Sequence, residues 1–133
     1  MTTNPLEPSE GSFCNPDAVE LSVYPELASM SAYGILCEQG KTQETWEMLE
    51  IMNRADALVL SRPFKAIEHA AEGQPESLDI PMDIPPGSRL TWLGLHLDRY
   101  EGREDLDALR EAVRLCGDIH TKIAPYRLAR TAN

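Results

Sequence analysis

Between Gly73 and Pro86 the chain places Gly73, Pro75, Pro81, Pro85 and Pro86 within fourteen positions. Proline removes a backbone donor and its ring collides with the preceding helical turn, so no regular helix crosses this stretch. It reads as an extended loop over the surface, with Leu78, Ile80 and Met82 alternating as one short edge strand would. On both sides of it, apolar residues recur at three- and four-residue steps, the period of a helix. The expectation is an all-α domain, a small bundle of four or five helices built from antiparallel helical hairpins.

The helices are placed by their punctuation. Leu21, Tyr24, Leu27, Met30, Tyr33 and Leu36–Cys37 form the first stripe, with Pro25 at a tolerated first-turn position and Gly40 as the stop. Thr42 is the expected cap of the second helix, with Glu44 and Glu47 near the positive end of its dipole. There Met48, Ile51, Met52, Ala55, Leu58 and Val59 share one side at 100° per residue, while Trp46, Leu49 and Leu60 fall on a second arc. Pro63 opens a short third segment through Phe64, Ile67 and Ala70–Ala71 to Gly73. After Ser88, a second candidate cap, Leu90, Leu93, Leu97 and Tyr100 make a stripe, with Trp92 and Leu95 on its far side. Gly102 turns the chain into a long helix from Glu104 to Ile123. Its core arc is Leu106, Leu109, Ala112, Val113, Cys116, Ile119 and Ile123, and its outer pairs are Asp107–Arg110 and Glu111–Arg114. Pro125 is expected to end it.

Residues 1–16 hold three prolines and little to bury, which predicts a flexible leader. Residues 17–124 form the single helical domain and residues 125–133 a basic C-terminal tail. At 133 residues such a domain buries roughly two-thirds of its unfolded surface and needs no metal or disulfide staple. The first 17 residues contain no Lys or Arg and no apolar run, unlike a secretory signal. The aliphatic stretches are far too short to span a membrane. Three widely spaced cysteines, Cys14, Cys37 and Cys116, read as reduced thiols, so a cytoplasmic location is expected. The formal charge is −10 and it is uneven: residues 1–86 carry 15 acids against 4 bases, and residues 87–133 carry 7 against 8. That sign disfavours direct nucleic-acid and anionic-membrane binding and suits an acidic face that meets a basic patch on another protein.

Residues 33–52, YGILCEQGKTQETWEMLEIM, resemble one helix-turn-helix unit of tetratricopeptide or pentatricopeptide repeats. Residues 92–115 follow the same logic through Trp92-Leu93-Gly94, a turn at Gly102 and a charged helix ending in Arg114-Leu115. The resemblance implies paired antiparallel helices, with Gly34 and Gly94 as points of close approach. Two units about 60 residues apart fall short of the three or so stacked repeats an array needs, so ordinary helical hairpins are expected.

Little reaction chemistry is legible. Gly40-Lys41-Thr42 matches only the tail of a phosphate-binding loop, because Ile35 stands where the motif requires glycine. Cys116 and His120 lie four apart on one helical face, a spacing for a thiol–base pair or two metal ligands, but zinc wants three or four. No cofactor and no metal are expected. The candidate protein-binding residues are Trp46, Leu49, Leu60, Trp92 and Leu95, since aromatic side chains off the main stripe suit interfaces. Together these features predict a non-catalytic acidic regulator that binds and inhibits or sequesters a protein partner, for example an anti-activator of a transcription regulator. A homodimer through the same second faces is expected, because two-fold dimers commonly cover such surfaces. The alternatives are a small acidic chaperone or adaptor, similar to type III secretion chaperones in mass and charge, and a thiol enzyme using Cys116 and His120.

Overall fold

The computed structural model describes residues 23–132, and the expected leader over 1–16 lies outside them. Among these residues the fold is all-α: α1 (Pro25–Glu38), α2 (Thr42–Val59), α3 (Arg62–Gly73), α4 (Arg89–Leu95) and α5 (Asp107–Ala132). Three short 3₁₀ turns, Pro75–Leu78, Leu97–Tyr100 and Glu104–Leu106, fill the connections.

α1 and α2 form an antiparallel hairpin whose corner is dictated by Gly40. That residue sits at φ +67°, and the Lys41 and Gly40 amides donate back to the carbonyls of Leu36 and Cys37 at 3.0 and 3.1 Å. This is a Schellman stop, and it favours glycine because a Cβ is strained at positive φ. Thr42 is the first residue of α2 rather than its cap; Lys41 holds that position and supplies no side-chain bond.

The inner face of α1 is Ala28, Ser29, Ala32, Ile35 and Leu36. The expected three-step stripe is therefore wrong for this helix. Nine residues at 100° each come to two and a half turns, so Leu27 and Leu36 stand on opposite sides. The small inner residues bring α1 close to α2 and α5, and Ile35, Leu36, Met48, Ile51, Ala55, Leu115, Cys116, Ile119 and Ile123 fill the space between. Each fully buried large aliphatic contributes about 1.5–3 kcal/mol.

A second cluster joins α3 and α4 to the first half of α5 around Phe64, Ile67, Leu90, Leu93, Leu106 and Leu109. Ser61 caps α3 by accepting from the Phe64 amide. The proline-rich connection is turned rather than stranded: Leu78 and Ile80 are buried, Met82 is exposed, and Asp79 is left-handed. Local turn bonds, such as the Ile80 amide donating to the Pro75 carbonyl at 3.0 Å, and several side chains meet its backbone groups in place of a strand ladder. The Tyr100 hydroxyl donates to the Leu78 carbonyl. Arg89 donates to the carbonyls of Ile84 at 3.1 Å and Glu72 at 2.9 Å.

Gly94 is a close approach as expected, for Val23 lies directly over it. Gly34 is not; it faces open space on the outside of α1. The stripe from Leu90 to Tyr100 is broken at His96 into α4 and a 3₁₀ turn, and the His96 ring nitrogen Nδ1 bonds the Trp92 carbonyl at 2.8 Å. On α5, Val113 is only partly buried and Leu115 belongs to the core instead.

Pro125 does not end α5, which runs on to Ala132. Pro125 and Thr121 are both exposed, so the carbonyl that the missing donor frees is accessible to water. The next turn is tied to the hairpin corner, where the Gln39 amide donates to the Tyr126 carbonyl at 2.8 Å. The Tyr126 hydroxyl also donates to Glu44 at 3.3 Å, and Lys41 Nζ lies 5.7 Å from its ring centroid.

Candidate protein-docking site

With the inner faces of α1 and α2 closed by α5, their outer faces form a groove. Trp46 and Leu49 rise from α2, and Tyr33 and Cys37 line the opposite wall from α1, with Gly40, Lys41 and Thr45 at the corner. The groove holds about 340 Å³ and is open to solvent. Trp46 is 64% exposed, and Met30, one turn before Tyr33 and Gly34, is 56% exposed. Exposed glycine at position 34 keeps this side of α1 bare. The Cys37 thiol beside Tyr33 raises that phenol above its ordinary value.

Trp46 and Leu49 also border a second concavity on the outside of α2, lined by Gln43, Glu47, Glu50 and Asn53. Toward the far end of the hairpin, Glu26 is half-buried. Burial raises its carboxyl first, and the nearby charge of Asp56 raises it further.

The five residues expected to bind a partner are not brought together. Trp46 and Leu49 share the groove. Leu60 is 70% exposed but follows the end of α2, about 21 Å along the axis from Trp46. Leu95 is exposed on α4, in the other half of the molecule. Trp92 packs partly buried against the second core cluster. His96 stacks on it at 4.2 Å, and the Arg99 guanidinium lies 5.5 Å from its ring centroid. It is not a free aromatic face. On the stripe that the sequence suggests for the core of α1, Tyr33 and Cys37 line this groove, Tyr33 while also packing against the first core cluster, and Met30 is exposed. The signal that locates them is the run Ala28, Ser29, Ala32, Ile35, Leu36, whose i, i+4, i+7 spacing marks the true inner face.

Cys116 is 1% exposed within the first core cluster, and His120 on the next turn is half-buried, with Nε2 3.4 Å from Arg127 Nη2. Among the described residues no three His, Cys, Asp or Glu side chains gather to hold a metal ion, and no helix is long and apolar enough to cross a membrane. No protein-family model matches the chain, and comparisons with curated proteins and with solved structures give no significant match.

Proposed function

We propose that the protein is a non-catalytic acidic regulator that binds a protein partner through the outer groove of the α1–α2 hairpin and occludes it, as an anti-activator sequestering a transcription regulator does. The observation that carries this reading is Trp46, a large aromatic left mostly in water beside an open apolar groove on two well-packed helices. Isolated apolar residues on a surface need no explanation, whereas a contiguous aromatic and aliphatic patch on a rigid element suits a docking site. The burial of Cys116 speaks against the thiol-enzyme alternative. The likeness to secretion chaperones remains one of mass and charge, since the smaller class usually contains a sheet and the described residues contain no strand.

A photo-crosslinking residue at position 46 tests the reading. It should give a discrete adduct in the native host, while the same residue at exposed position 66 on α3 should not. The captured protein, once purified, should bind the wild type and lose binding to Trp46→Asp at unchanged helicity. Equal adducts from both positions refute the groove as the docking site.

A further inference from the structure

The groove's charge specifies the chemistry of what fills it, and the argument rests on the docking reading above. The apolar ridge of Trp46 and Leu49 has Glu47 and Glu50 along its outer side. The two cations nearest in sequence have other neighbours, although Lys41 also stands at the groove corner. Lys41 sits over the Tyr126 ring, and Arg54 is close enough to Glu111 on α5 to help lower that carboxyl. Among the described residues, none of the five ion pairs includes Glu47 or Glu50.

We propose that the groove receives a basic amphipathic helix of a partner protein, with its apolar face on Trp46, Leu49 and Met30 and its Lys or Arg side chains over Glu47 and Glu50. A second copy of this chain would bring the same carboxylates against each other, and like charges across an interface are a cost. A helix with acidic flanks meets the same repulsion. A basic one gains both apolar burial and charge complementarity, as in helix-in-groove recognition generally. From Thr42 to Asn53 the outer face of α2 extends about 17 Å, room for three turns of a docked helix.

The test uses two fluorophore-labelled synthetic amphipathic peptides with one leucine face, one carrying lysines on the other face and one carrying glutamates. Anisotropy titrations of the full chain should show binding of the leucine–lysine peptide, at least about tenfold weaker binding by the Glu47→Lys/Glu50→Lys variant, and loss with Trp46→Ser. Reversing two exposed acids in the other half, Glu76→Lys and Glu101→Lys, should leave affinity unchanged. Circular dichroism confirms that each variant is folded. If the leucine–glutamate peptide binds as tightly as the lysine one, charge selection is wrong while the groove reading survives. If Trp46→Ser binds the lysine peptide normally, both fall. A dimer in sedimentation that Trp46→Ser dissolves makes a second copy the occupant and overturns the proposal.

Discussion

Gly94→Ala should destabilise the fold even though alanine is the better helix former. A Cβ built on Gly94 falls closer than 3.0 Å to Val23 Cγ1, with Val113 Cγ2 at 3.4 Å and Val23 Cβ at 3.5 Å behind it. Carbon atoms pack at about 3.5–4.0 Å, so the new methyl must push Val23 away by about half an ångström or more. Val23 is buried against the second core cluster and cannot swing into solvent without losing its packing. Overpacking of this kind costs about 1–3 kcal/mol, against an intrinsic helical gain of up to about 1 kcal/mol. The net expectation is a loss of about 1–2 kcal/mol in urea unfolding with an unchanged m-value. Val23→Ala removes the obstructing Cγ1 at its own cost of about 1–2 kcal/mol. In that background Gly94→Ala meets only ordinary contacts and should become neutral or stabilising. The sign reversal, a coupling of about 2 kcal/mol, is the measurement that matters. A stabilising Gly94→Ala in the wild type, or the same penalty in both backgrounds, refutes the close-approach argument.

Three further outcomes are expected. Arg89→Ala should cost about 1–3 kcal/mol, because it leaves the Ile84 and Glu72 carbonyls without their donor, and limited proteolysis should then cut first between residues 79 and 88. Trp92→Asp should lower the thermal midpoint sharply, whereas Leu95→Asp, at an exposed position, should leave it nearly unchanged; equal effects would make Trp92 a surface residue. Burial holds the Glu26 carboxyl above its ordinary range, so the folded state favours the protonated form. Its penalty is absent below the unfolded pKa and grows as pH rises through the folded one. Glu26→Gln should therefore stabilise the protein at neutral pH with the gain vanishing in acid, and a gain that persists in acid counts against the burial argument.

The sequence shows the class of fold and much of its punctuation, because glycine and proline act locally. Gly40, Pro63 and Gly102 mark turns or helix starts that the structure contains. What it shows poorly is the facing of α1 and the fate of Pro125. On α1 the spacing of the large residues points them inward, yet tertiary packing selects alanines so that two neighbouring helices can come close. At Pro125 the local rule yielded to long-range bonds from Gln39 and to Glu44, partners more than eighty residues away. The candidate site was half legible for the same reason. Trp46 and Leu49 stand on one helix and a wheel finds them, but Tyr33 and Cys37 join them only through the hairpin.

One helix closes both cores. The first half of α5 seals the cluster of α3 and α4, and its second half seals the α1–α2 hairpin. During synthesis α5 emerges after every element it covers, so neither cluster can reach its final packing until that helix has left the ribosome. Chain growth at about 5–20 residues per second leaves both apolar faces waiting for seconds, a window in which a chaperone finds more to hold than the finished protein offers.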